Sequence, residues 1–111
     1  MTHVTKDFEP LYSTLGGDPD LATLVEMFVD EMPQRVKAMR DCFEAGDLDG
    51  LQRAAHQLKG AAGSYGFHEI THEAAALERA VREGRSQQDI AAAVESQAAI
   101  CQRVRAGIPP R

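Results

Sequence analysis

The sequence predicts an all-α fold, an antiparallel up-and-down four-helix bundle with a short N-terminal helical segment. Three observations carry that expectation. Apolar residues recur at three-to-four spacing in four separate stretches, the period of a helix with one buried face. Three of those stretches stop at a glycine, Gly46, Gly66 or Gly84, the residue that most easily adopts the left-handed turn beyond a helix end. Hydrophobic residues make up 43% of the chain while aromatics are 5% and tryptophan is absent, so the core must come from Leu, Val, Ile, Met and Ala, a palette that suits helices. With 111 residues the chain is expected to be one domain: an N-terminal segment over 1–17, the bundle over 18–106 and a tail over 107–111.

Residues 1–17 are weakly patterned; Pro10-Leu11-Tyr12 and Leu15 suggest a helical turn packed on the bundle before Gly16-Gly17. Asp18-Pro19 then reads as N-cap and first residue of a long helix, with Leu21, Leu24, Val25, Phe28, Met32, Val36, Met39 and Phe43 on its inner face as far as Gly46. Pro33 lies inside it, but the apolar stripe stays in phase on both sides, which predicts one bent helix of about 27 residues rather than two. Asp47 caps the second helix, which stops at Gly66. The third spans about 67–83, with Ile70, Ala74, Leu77 and Val81 inward. Ser86-Gln87-Gln88-Asp89 resembles a capping box for the fourth, whose inner residues are Ile90, Ala93, Val94, Gln97, Ile100 and Val104. Pro109-Pro110 closes the chain, and no stretch carries a strand signal.

Within the second helix one residue stands apart. At about 100° per residue, Leu51, Ala55, Leu58, Ala62 and Tyr65 fall roughly 180 to 260° from His56, so the histidine points to solvent. Its own face carries Asp49, Gln52, Arg53, Lys59, Gly60 and Gly63. A glycine inside a helix costs about 1 kcal/mol against alanine, and Gly60 and Gly63 both fall on the histidine's side. Such a face suits the close approach of a partner; it also suits an ordinary surface histidine near a helix end.

The run His56-Gln57-Leu58-Lys59-Gly60, followed by Ala61-Ala62 and by Gly66 ten residues after the histidine, resembles the signature of histidine-containing phosphotransfer (HPt) domains without a gap. That resemblance implies a phosphorelay module in which His56 is the phospho-accepting nucleophile. It would take a phosphoryl group from the aspartate of a receiver domain or from a kinase, and pass it to another receiver aspartate. The implied partners are receiver domains of response regulators and a hybrid histidine kinase. Gly60, Gly63, Arg53 and Gln52 would form the docking surface. No cofactor is implied for this chain, magnesium being expected in the receiver.

Glu78 lies twelve residues after Gly66 and His56 ten before it, so antiparallel helices bring the two to similar heights. A carboxylate there suits the imidazole Nδ1 proton and leaves Nε2 free to attack; pairing with Arg82, four residues on, is the competing role. In HPt domains of the chemotaxis-kinase type a glutamate at this spacing is hydrogen-bonded to the histidine, and many others carry glutamine. Lys59 is three residues from His56, within reach of a phosphoryl group on Nε2, and the resemblance implies that role. The chain has no nucleotide-binding glycine loop, so a phosphotransfer intermediate rather than an enzyme is expected.

A second motif, His68-Glu69-Ile70-Thr71-His72, is a literal H-E-x-x-H, the arrangement of zinc metallopeptidases. Only Glu95 offers a third ligand, at a spacing that does not define a site, and Ile70 and Leu77 claim the core side, so no metal site is expected. A net charge of -5 with scattered basic residues argues against nucleic acid. No apolar run is long enough to span a membrane, and Cys42 and Cys101 carry no motif, which suggests reduced thiols in a cytoplasmic monomer. A non-catalytic helical interaction domain is the alternative reading.

Overall fold

The computed structural model describes residues 9–109; the expectations for residues 1–8 and for Pro110 lie outside them. Four helices make up the bundle: α1 Ala22–Glu44, α2 Leu48–Ser64, α3 His68–Arg82 and α4 Gln87–Cys101. Each packs on its two neighbours, with α1 closing the ring against α4. The core between them holds Val25, Phe28, Met32 and Met39 from α1, Leu51, Ala55 and Leu58 from α2, Ile70, Ala74 and Leu77 from α3, and Ile90, Val94 and Ala98 from α4. Pro33 sits inside α1 on its exposed side, and the helix runs on as one.

The turn between α2 and α3 fixes the site and is built by its sequence. The Asp47 carboxylate accepts the Gly50 N–H at 2.9 Å, satisfying a first-turn donor of α2. At the other end Gly66 adopts φ +79°, its N–H bonds to the Gly63 carbonyl, and the Phe67 N–H reaches back to the Ala62 carbonyl at 2.9 Å. This pair of backward bonds closes a helix with a left-handed residue just beyond it. Phe67 is then buried and stacks on Phe28, ring centroids 5.5 Å apart, which directs α3 back along α2.

Three expectations are corrected. Asp18-Pro19 opens a turn, not the helix: the Asp18 carboxylate accepts the Asp20 N–H and its carbonyl the Leu21 and Ala22 N–H groups, so α1 starts at Ala22 behind Leu21. Leu24, placed on the inner stripe, is 41% exposed, because it stands about 100° from Val25 on the helix. Finally, the fold contains a small sheet. Leu11–Tyr12 (β1) pairs in parallel with Val104–Arg105 (β2), where a helical turn and the end of a fourth helix were expected. Val104 is buried as expected, but α4 stops at Cys101 and the chain extends so that Leu11, also buried, donates its N–H to the Arg103 carbonyl at 2.7 Å. At the start of α4, Ser86 accepts the Asp89 N–H, while the Asp89 carboxylate turns to Arg85, so half of the capping box is realised.

Candidate functional site

His56 projects from the middle of α2 with 66% of its side chain exposed. Opposite it on α3, Glu78 has its side chain only 10% exposed and is one of three buried polar residues among those described. Its two oxygens do different things. Oε2 lies 2.8 Å from His56 Nδ1, and Oε1 accepts a hydrogen bond from Lys59 Nζ at 2.7 Å. The Lys59 ammonium, and after it the imidazole, hold the Glu78 carboxyl below its ordinary value of 4.5, against the burial that pushes it up.

The tautomer follows from that ionisation. A carboxylate only accepts, so Nδ1 must carry the proton it donates to Oε2. In the neutral imidazole the lone pair then belongs to Nε2, the nitrogen directed away from Glu78. The bond to Glu78 thus engages one ring nitrogen, and the other has no hydrogen-bond partner among the described residues. The spacing argument about Gly66 pointed to this pairing, whereas Arg82, the competing partner of Glu78, is exposed and makes no bond to it. The bond from Lys59 to the same carboxylate was not anticipated. Its signal is local: three residues after His56, Lys59 leans about 60° round α2, and its flexible stem reaches α3.

Around the histidine, Asp49, Gln52 and Arg53 line a shallow recess of about 320 Å³ together with His56 and Glu78. Gly60 faces open space, with nothing within 4 Å of where a Cβ would stand. Gly63 is placed differently: its Cβ position would meet Thr71 Oγ1 of α3 at 3.4 Å, so it lies in the seam between the helices rather than on an open face. A larger, mostly apolar groove of about 420 Å³, lined by Val29, Met32, Val36, Cys101 and Val104 among others, shares no residue with this recess.

The H-E-x-x-H residues gather elsewhere. His68, Glu69, His72 and Glu73 line a separate recess with Ile100. Glu95, the candidate third ligand, is held on the α1 side by Arg40 through bonds of 3.0 and 2.7 Å. Among the described residues no three His, Cys, Asp or Glu side chains come together as a metal site. Cys42 and Cys101 are free thiols, and burial pushes the Cys101 thiol up to about 11.

Comparison with protein families decides the kinship: the profile of the Hpt domain matches residues 23–107. The chain belongs to the Hpt domain family. The match takes in α2, α3, α4 and all of α1 but its first residue, with His56, Lys59 and Glu78 inside it. No curated protein and no solved structure matches significantly. An Hpt domain carries phosphoryl groups in two-component phosphorelays and has no kinase activity of its own, so the general role of this chain is histidine phosphotransfer with receiver domains and histidine kinases as partner classes. No helix among the described residues is long and apolar enough to cross a membrane.

Proposed function

We propose that His56 is the phospho-accepting residue of this Hpt domain, that Lys59 stabilises the transferred group and that Glu78 orients the ring. The observation that carries the proposal is the bond from Nδ1 to Glu78, 2.8 Å long, on a histidine whose Nε2 side is open to solvent. In the forward step the Nε2 lone pair attacks the phosphorus of a receiver's aspartyl phosphate. The N–P bond forms, the P–O bond to the aspartate breaks, and the aspartate leaves as carboxylate. The ring keeps its Nδ1 proton and gains positive charge, which the adjacent Glu78 carboxylate offsets. Lys59 exchanges its bond to Oε1 for the phosphoryl oxygens, bringing a mobile cation to the new charge. A second receiver aspartate reverses these bond changes. Positioning and charge stabilisation are all the domain supplies, while the magnesium ion belongs to the receiver.

Gly60, Gln52 and Arg53 form the surface a receiver approaches, and the domain acts as a cytoplasmic monomer. Incubation with a panel of phosphorylated receiver domains tests the reading. Acid-labile phosphate should appear on the wild-type protein and be absent from His56→Gln, which should stay folded because residue 56 is mostly exposed and Lys59 still pairs with the Glu78 carboxylate. Label on the His56→Gln protein would move the nucleophile elsewhere. Receiver binding without label on either protein would favour a non-catalytic interaction domain.

A further inference from the structure

Two contacts across the α2–α3 seam are spaced alike on both helices. His56 meets Glu78, and Gly63 meets Thr71. On α2 the partners are residues 56 and 63, on α3 residues 71 and 78, so each pair is seven positions, about two turns, apart and on one face. Phe67 lies midway in sequence between the members of both pairs, so one antiparallel register satisfies both. Thr71 does more than touch the glycine. Its hydroxyl donates a hydrogen bond to the Lys59 carbonyl at 3.1 Å, from a half-buried position.

Lys59 is thereby tied to α3 at both ends. Its carbonyl is held by Thr71 and its ammonium by Glu78, two α3 residues that stand on one side of that helix. The seam is close here: a Cβ on Gly63 would stand 3.4 Å from Oγ1, in ordinary van der Waals contact, so nothing bulkier than a methyl group fits between Thr71 and the α2 backbone. Without this tie the polar contacts across the seam, among the described residues, would be those of the Gly66 turn and of the buried Glu78 carboxylate, with none between. Glu78 must reach two donors at 2.8 and 2.7 Å at once, so a small slide or rotation of α3 costs it one of them.

We infer that Thr71, seated against Gly63 and bonded to the Lys59 carbonyl, is a positioning residue that sets the α2–α3 register in which Glu78 holds the His56 tautomer. It touches no reacting atom; it acts through Lys59 and Glu78, and the inference rests on the phosphotransfer role proposed for His56. The charged groups that also face the ring are Asp49 and Arg53 on α2, and both remain in place when Thr71 is changed.

Thr71→Val removes the hydroxyl at nearly constant shape, and Thr71→Ser keeps it. Two readouts are needed on each protein. The first is the nitrogen-15 spectrum of the His56 ring without any receiver, which reports how much of the neutral ring carries its proton on Nδ1. The second is the single-turnover rate of transfer from a phosphorylated receiver. The valine variant should remain folded by circular dichroism, shift the ring toward a mixture of tautomers and transfer about fivefold more slowly, the worth of one ordinary hydrogen bond. The serine variant should restore both. A valine variant with an unchanged ring spectrum overturns the inference, whether its transfer is normal or slow, because the register then does not depend on the hydroxyl. Failure of wild-type protein to accept phosphate would overturn the role of His56 instead, and the ring spectrum would still decide the role of Thr71.

Discussion

Lys59 and Glu78 form an ion pair 2.7 Å long in which the lysine is one-third exposed and the glutamate nearly enclosed. The ammonium is the main reason the Glu78 carboxyl is held down, and His56 adds to it. A carboxyl lowered in the folded state stabilises the fold above its ordinary value of 4.5, and that contribution is lost as the pH falls through the lowered value. Denaturant unfolding followed from about pH 6 down to about pH 3 should therefore show a steeper loss of stability for wild type than for Glu78→Gln, which has no proton to take up at that position. Parallel curves would mean that the pair adds nothing to folding.

The same residue separates orientation from charge. Glu78→Gln keeps an oxygen that can accept the Nδ1 proton, whereas Glu78→Ala keeps nothing. Transfer by the alanine variant should fall about tenfold, and transfer by the glutamine variant by no more than about threefold. Rapid-quench measurement with one phosphorylated receiver would show it. Equally slow transfer by the two variants would assign the effect to the charge of Glu78, and wild-type rates in both would leave it a structural part only.

Gly60 has open space around it, so Gly60→Leu should fold, with stability raised by about 0.5 to 1 kcal/mol through helix propensity. The new side chain stands one turn from His56, the proposed nucleophile, and a misplacement of the docked receiver by an ångström can cost on the order of a hundredfold in rate. Thermal melting and transfer rates should thus move in opposite directions. Unimpaired transfer would show that receivers do not come close over Gly60.

Gly66 responds to substitution for the opposite reason. It combines φ +79° with near neighbours: a Cβ would stand 2.6 Å from Thr14 Oγ1, 2.8 Å from Ser13 Oγ and 3.0 Å from the Thr14 nitrogen. Gly66→Ala should cost at least about 1 kcal/mol and lower Tm by on the order of 5 °C. Calorimetry on the purified variant is sufficient to check it.

The two thiols should also part company. Cys101 is buried with its thiol pushed up to about 11, while Cys42 is half-buried at the end of α1. A disulfide reagent at about pH 8 should modify Cys42 in the native protein and reach Cys101 only on unfolding. Fast modification of both would place Cys101 nearer to solvent than the fold allows.

Most of the bundle could be read from residue spacing because its signals are long or chemically distinct. Gly46, Gly66 and Gly84 mark three helix ends and all take positive φ. Asp47 and Ser86 bond the donors that their positions imply. Counting outward from Gly66 relates His56 to Glu78, since a tight turn leaves little freedom in the register of the helices it joins. Short features escaped. A two-residue strand such as Leu11–Tyr12 has no room for an alternating pattern, and its pairing with Val104–Arg105 depends on residues at the far end of the chain. Asp-Pro serves a turn as well as a cap, so Asp18 misplaced the start of α1 by a turn. Bonds such as Lys59 to Glu78 and Thr71 to the Lys59 carbonyl depend on where flexible or half-buried side chains settle between two helices, which periodicity does not specify.

The pairing of β1 with β2 also determines how tension travels through the protein. The two strands run in the same direction, so pulling the preceding chain one way and the following chain the other draws them past each other instead of peeling them apart. Their backbone hydrogen bonds, including that from Leu11 to Arg103, then resist together. Force passes directly from one strand to the other and bypasses residues 13–103, which hold all four helices and His56. A pull applied across the two strands would therefore load this clasp before it loads the helix pair that carries His56, Glu78 and Lys59.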